Sequence, residues 1–407
     1  MVRYCDMGRS PAELLADWAY GWGNPEIFQG ASRGLVFTQS GRAAIALAAR
    51  HWDIGPNDEV LVPAYNCGSE ISPLIATGAK VSMYRINSQA RIDVGDVFQR
   101  ITPRTRLIHV THYFGWPEDL SKLVSYCRQE DIKVLEDCAL SLFSRDTGHS
   151  GDAAIFSLRK SLAVCDGGVL SLRNADQPTE IPLAQSINLE TVRGLLSLQR
   201  KWARRFTHLL PSIEQERCCE TSMVADNFPP LPTSYYWTRA SRIAEPSRCS
   251  LGQLRRIDWQ EIVRRRRENY AQLRHSFCDA GGFRFLWEDD ALPDGMCPLG
   301  LPILVDDRPH WYRTLNGAGI VVSPWWEGYH AGLNWAEFPE ARALKSKLLL
   351  LPVHQGLSPT DIDYIARVVR ACVNKPSQRR PRQAGWSNQL AGIKKQGLLE
   401  PGEAPEH

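Results

Sequence analysis

The sequence predicts an α/β protein built on a mainly parallel sheet, and three observations predict it. Short apolar runs alternate with helix-patterned segments from Leu35 to Asp137, an order that implies right-handed strand–helix–strand crossovers. The run Ile132–Leu135 ends in two carboxylates, Glu136 and Asp137. That suits a buried parallel strand whose carboxyl end opens on a ligand crevice. A second run, Ala153–Leu158, leads directly into Lys160, and Gly167-Gly168 then turns the chain into a third, Val169–Leu172.

Composition bounds the rest. The 407 residues carry a net charge of +3 and suffice for two domains and a large core. No apolar run approaches membrane-spanning length, and the first residues lack the apolar segment of a signal peptide. The eleven cysteines are scattered, with no Cys-x-x-Cys pair, which points to a reduced cytoplasm rather than a disulfide framework or a zinc site.

In chain order, Ser10-Pro11 caps an N-terminal helix over 10–21. Leu35–Thr38 is a strand, and Gln39-Ser40-Gly41-Arg42 opens a strongly helical run, Ala43–Arg50. A Ser-Gly turn at a helix start presents free N–H groups suited to a phosphate, although a simple N-cap reads the same way. A strand over 58–63 ends at Pro63, followed by a helix over Gly68–Gly78. Lys80–Tyr84 is a strand, Val94–Ile101 a helix and Thr105–Val110 a strand, and Leu120–Glu130 is a helix.

Residues 177–232 read as irregular apart from a basic amphipathic stretch, Leu195–Leu210, whose default is a solvated face. Pro246 marks a hinge. A long helix, Ile257–Asp279, carries Arg264–Arg267, and short strands follow over 283–305. Trp311–Asn316 is helical, Gly319–Val322 a strand, and Ser358–Val373 a last helix. The divisions are thus 1–245, 246–375 and a tail, 376–407, whose composition reads as disordered.

An acid at one strand end and a lysine just past another are what pyridoxal 5'-phosphate (PLP) chemistry needs. The lysine holds the cofactor as a Schiff base, and the carboxylate keeps the pyridine nitrogen protonated. A partly desolvated lysine beside a cationic ring has a lowered pKa and can act as nucleophile and proton shuttle.

Glu136-Asp137-Cys138-Ala139, Phe156-Ser-Leu-Arg-Lys160 and Asp166-Gly-Gly168 resemble the core of the DegT/DnrJ/StrS aminotransferases, with collinear motifs from about Gly34 to Asp176. The resemblance implies the PLP-transferase fold type I. This is a large domain with a seven-stranded, mainly parallel sheet flanked by helices, plus a smaller C-terminal α/β domain. It implies Lys160 as the Schiff-base lysine and Asp137 as the partner of the pyridine nitrogen. It places Ser40, Gly41, Arg42 and Ser157 at the cofactor phosphate, with Ser157 shifted because the segment before Lys160 is two residues shorter than in relatives. The aromatic ring that stacks on the cofactor falls nearer Cys67 than Tyr65, which is the aromatic candidate; ordinary core is its other reading. Leu140 replaces a usual Gln or His. His112, in a His-x-x-Gly-x-Pro loop, reads as a buried, hydrogen-bonded side chain.

The resemblance further implies a homodimer with active sites at the subunit interface. Arg239 and Arg242 stand near the place of the signature that reaches across it, and Trp325, Trp326 and His330 are candidates at the substrate entrance. The implied reaction moves an amino group from L-glutamate or L-glutamine to a keto-sugar, nucleotide-linked or free, or to a cyclic ketone such as an inosose. A non-transaminating PLP reaction (lyase, racemase or carbon–carbon bond formation) is the alternative. A non-catalytic sensor is disfavoured by the intact Lys160/Asp137 pair. Nucleic-acid binding would rest on arginine clusters alone.

Overall fold

The computed structural model describes residues 34–173, 229–238, 240–254, 256–289 and 291–374. The helix expected over 10–21, the basic stretch Leu195–Leu210, Arg239 and the tail 376–407 lie outside them.

Seven strands form one sheet: β1 (Gly34–Thr38), β2 (Glu59–Pro63), β3 (Lys80–Tyr84), β4 (Thr105–Thr111), β5 (Lys133–Asp137), β6 (Ala153–Ser157) and β7 (Gly168–Leu172). Their spatial order is β1-β7-β6-β5-β4-β2-β3. Strands β3, β2, β4, β5 and β6 run parallel, and β7 is antiparallel to both β6 and β1. Every residue of β2 and β7 is buried, as expected for strands covered on both faces. The fold class expected from the sequence is therefore the one observed.

Helix α1 (Gly41–His51) follows β1 directly. The Ser40 hydroxyl accepts from the Ala43 N–H at 3.2 Å, and the alanine-rich run after it has high helix propensity. Its buried face, Ala43, Ala44, Ile45, Leu47 and Ala48, packs against β7 and β6. Short helices α2 (Ser72–Ala76), α3 (Val94–Arg100) and α4 (Ser121–Gln129) make the next crossovers, and α5 (Leu158–Ser161) is a single turn after β6. The helix expected over Gly68–Gly78 is limited to α2. Gly68 holds a left-handed φ of 76°, and Pro73 fits only the first helical turn.

Beyond Pro246, α6 (Arg248–Leu254) and α7 (Trp259–His275) lead to an antiparallel three-stranded sheet, ordered β10-β9-β8. It comprises β8 (Arg284–Phe285), β9 (Gly300–Leu304) and β10 (Leu348–Pro352), with α8 (Arg308–Gly317), α9 (Pro339–Lys347) and α10 (Pro359–Asn374) around it. Gly319–Val322 does not form the expected strand. The Ile320 N–H closes back on the Leu315 carbonyl, the Asn316 amide donates to the Val322 carbonyl, and only an isolated bridge joins Pro324 to Leu349. Side-chain capture of the backbone here outcompetes a ladder.

One hydrophobic core runs through both sheets, from Val60 and Leu61 to Leu349, Leu350 and Leu351, all fully buried. Truncating one such leucine to alanine costs about 2–5 kcal/mol. Two polar ties cross the same boundary. The Trp335 indole donates to the Ala64 carbonyl at 2.6 Å. The buried Lys345 ammonium donates to the Asn66 carbonyl at 2.7 Å and the Gly328 carbonyl at 2.8 Å.

Candidate active site

The carboxyl ends of β4, β5 and β6 and the start of α1 enclose a cavity of about 340 Å3. Its lining includes Ser40, Gly41, Arg42, Asp137, Ser157 and Lys160, which the sequence had singled out as one constellation.

Asp137 is the last residue of β5 and is 4% exposed. Its Oδ1 accepts from the Ala139 N–H at 2.8 Å, and its Oδ2 lies 3.5 Å from the Nε2 of the buried His109. In parallel register beside it stands Thr111, which lines the cavity and whose buried hydroxyl has no hydrogen-bond partner among the described residues. Two polar groups thus face the cavity at the strand ends, with room for a ligand donor.

The neighbouring acid is different. Burial pushes Glu136 up, but the His112 ring and the Gly151 and Gly148 N–H groups outweigh it and hold its carboxyl below the usual range. His112 Nδ1 accepts from the Glu118 N–H, so Nε2 carries the hydrogen and donates to Glu136 at 2.8 Å. His112 is therefore a buried, fully hydrogen-bonded side chain, as the sequence reading favours.

Lys160 sits on α5, half buried, with its Nζ 4.7 Å from the centre of the Trp325 ring. Among the described residues it has no carboxylate partner. Leu158, fully buried, anchors this turn. A Cβ on Gly167, at φ 125°, would stand 2.7 Å from Leu158 Cδ1.

The start of α1 forms a cradle. The first N–H groups of a helix have no intrahelical partner and carry the positive end of the dipole. Gly168 allows β7 to pass against this turn, because a Cβ there would fall 2.3 Å from the Ser40 carbonyl carbon. A Cβ on Gly41 would lie 3.3 Å from Ser157 Cβ. Arg42 closes one side, donating to the Tyr235 carbonyl at 2.9 Å. These residues fit a phosphate.

Other candidates sit elsewhere. Tyr65 is fully buried behind the cavity lining, its hydroxyl bonded to the Trp325 carbonyl and its ring 4.9 Å from Trp326. Trp326, not Trp325, reaches the lining. His330 is buried against Tyr236 at 4.5 Å, outside the lining, and accepts from the Gly332 N–H. Arg242 is exposed and contributes its carbonyl to Gln39.

Sequence reasoning missed Glu70 and Ser69, which line the cavity with Cys67. Glu70 Oε1 accepts from the Cys67 N–H at 2.8 Å, and Oε2 takes the Cys67 thiol. Burial and the Glu70 charge push that thiol up to about 12, so it stays protonated and donates. The i, i+3 spacing of Cys67 and Glu70 is that of a side chain reaching back to an N–H, and it was readable as such. Arg159 was also passed over; it is exposed and lines the cavity beside Lys160.

A lysine and a buried carboxylate on one cavity at the strand ends, with a glycine-lined helix start, define the site of the aspartate-aminotransferase fold. The comparisons with known proteins agree. The DegT/DnrJ/EryC1/StrS aminotransferase family model matches residues 28–208, and the chain is similar to that family over this stretch. A dTDP-4-dehydro-2,3,6-trideoxy-D-glucose 4-aminotransferase of Saccharopolyspora spinosa is 23% identical, over 85% of this chain and 86% of its own length. An L-glutamine:scyllo-inosose aminotransferase of Streptomyces griseus is 30% identical over 34% of each chain. Among solved structures, a Streptococcus pneumoniae protein assigned as a sugar aminotransferase, in its PLP form, aligns with a TM-score of 0.64 at 18% identity, over 89% of this chain and 95% of its own.

Proposed function

We propose that the protein is a PLP-dependent aminotransferase. Its donor is an amino acid, L-glutamate or L-glutamine, and its acceptor a keto-sugar, nucleotide-linked or free, or a related cyclic ketone. The observation that carries this reading is the pairing, on one cavity, of a lysine with no carboxylate partner among the described residues and a strand-end aspartate.

Bound PLP supplies an electron sink for negative charge at the substrate carbon. Lys160 holds the cofactor through its Nζ. The same amine, when not holding the cofactor, would move the proton at the substrate Cα, a general acid–base role. Asp137, held in place by the Ala139 N–H, keeps the ring nitrogen protonated. Ser40, Gly41, Arg42 and Ser157 bind the phosphate. Thr111 offers an unpaired hydroxyl where Leu140 offers no polar group. Trp326 closes the apolar side and helps to exclude water.

We read the protein as a cytoplasmic homodimer whose large and small domains meet near Pro246. The cysteines among the described residues are free thiols. Among the described residues no helix is long and apolar enough to cross a membrane. The names of the relatives support the acceptor class, because they include both a nucleotide-linked deoxysugar and an inosose.

The test is the absorption spectrum of the purified protein with PLP, before and after L-glutamate or L-glutamine. Loss of the visible cofactor band with release of the matching 2-oxo acid is the expected result. A visible band that neither donor moves would reject the donor assignment. Lys160→Ala should abolish the cofactor attachment that borohydride fixes; persistence of that attachment would overturn the role of Lys160.

A further inference from the structure

Three cationic side chains line the cavity: Arg42, Lys160 and Arg159. Two have assignments. Arg42 lies at the phosphate cradle, tied to the Tyr235 carbonyl, and Lys160 is the reactive amine. Arg159 has none.

Arg159 immediately precedes Lys160 on the α5 turn and is exposed to the cavity mouth. Among the described residues it makes no hydrogen bond and no ion pair. The two acids on the cavity are otherwise engaged. Asp137 holds the Ala139 N–H and faces His109, and Glu70 holds the Cys67 N–H and thiol. The Arg159 guanidinium therefore carries five donors unused among the described residues, on the residue next to the lysine that must reach the substrate α-carbon. A planar guanidinium matches a carboxylate in a bidentate, charge-assisted pair.

An amino-acid donor brings such a carboxylate, bonded to the very carbon that Lys160 serves. A keto-sugar or cyclic ketone brings none next to its carbonyl. We propose that Arg159 is the receptor for the α-carboxylate of the amino donor, an assignment that rests on the aminotransferase reading above. Arg159 then distinguishes the two half-reactions, binding in the first and standing idle in the second.

The experiment uses the holoenzyme and the variants Arg159→Gln and Arg159→Lys. Two quantities are followed: the donor concentration that half-saturates loss of the visible band, and the calorimetric Kd of glutarate, a dicarboxylate that cannot react. A charge-assisted contact of this kind corresponds to roughly 10–100-fold in affinity. Arg159→Gln should raise both by that factor, while leaving unchanged the limiting rate at saturating donor, the KM for the keto acceptor and the affinity for PLP. Arg159→Lys should recover part of the loss, because a point charge replaces the fork. A raised acceptor KM with an unmoved donor constant would overturn the assignment and place Arg159 on the acceptor. Weakened PLP binding would overturn it in favour of the phosphate, and no change in any quantity would make Arg159 a solvated side chain. A wild-type holoenzyme that binds glutarate but transfers no amino group would reject the aminotransferase reading while sparing the carboxylate site.

Discussion

Lys345 allows the coupling between the two sheets to be measured through pH. Its side chain is 1% exposed, and its Nζ donates to the Asn66 and Gly328 carbonyls beneath the rings of Tyr329 (4.5 Å) and Trp335 (5.2 Å). Burial pulls its pKa from 10.5 down to about 7; the Glu70 charge opposes this and Arg308 adds to it. The depressed value means that above pH 7 the unfolded chain binds a proton that the folded one does not. Stability from this site therefore rises with pH through that window, and only below pH 7 do both states carry the charge.

Each pH unit in the window is worth about 1.4 kcal/mol. Lys345→Met removes the titration and leaves two carbonyls without a donor, at about 1–3 kcal/mol each. The wild-type-minus-variant difference in unfolding free energy is read from urea titrations of the same chain at pH 6 and pH 9. It should rise by roughly 3 kcal/mol over that interval, because groups that do not interact with Lys345 cancel. A difference that is flat, or that shrinks with rising pH, would refute the reasoning.

Three further outcomes are expected. Asp137→Asn keeps the Ala139 cap but loses the charge that protonates the cofactor ring, so the rate of donor-driven band loss should fall at least roughly 10–100-fold, the scale of one charge-assisted hydrogen bond; an unchanged rate would remove Asp137 from the mechanism. Gly168→Ala puts a Cβ 2.3 Å from the Ser40 carbonyl carbon, a backbone atom that cannot swing away. PLP affinity measured by fluorescence should therefore collapse, while Gly281→Ala, where nothing lies within 4 Å, should leave it untouched. Glu136 has a depressed folded pKa, so it stabilises the protein above its unfolded pKa and loses that contribution as pH falls through the folded value. Glu136→Gln should accordingly flatten the acid limb of the stability profile, read by circular dichroism.

The parts of the fold set by local pattern were legible in the sequence. β3 falls on Lys80–Tyr84 as read, and β1, β4 and β7 differ by a residue or two. Lys160, Asp137 and the start of α1 were legible because turn chemistry and strand-end carboxylates are encoded by neighbouring residues. What failed depended on contacts between distant segments. Tyr65 was a candidate for the cavity because its aromatic ring suits stacking. Only the meeting of β2 with the Trp325-Trp326 segment turns it inward and leaves Cys67 and Trp326 on the lining. Gly319–Val322 has strand composition, yet Asn316 takes its backbone first. Arg159 looked like an ordinary surface arginine, because nothing in the sequence says that the described residues around it leave it unpaired.

The seam between β1 and β7 bears on the order in which the molecule assembles. Thr38 and Gly168 are partners in that ladder, although the whole parallel half of the sheet is synthesised between them. The cradle at the start of α1 is therefore completed against Gly168 only once β7 has been made. It appears only when the final strand is laid against the first, a non-local closure of the slow kind. A ligand seated there binds chains in which this seam has closed, and it draws the folding equilibrium toward them by mass action. Cofactor supply would then govern how much of the chain survives to maturity, as well as how much of it is active.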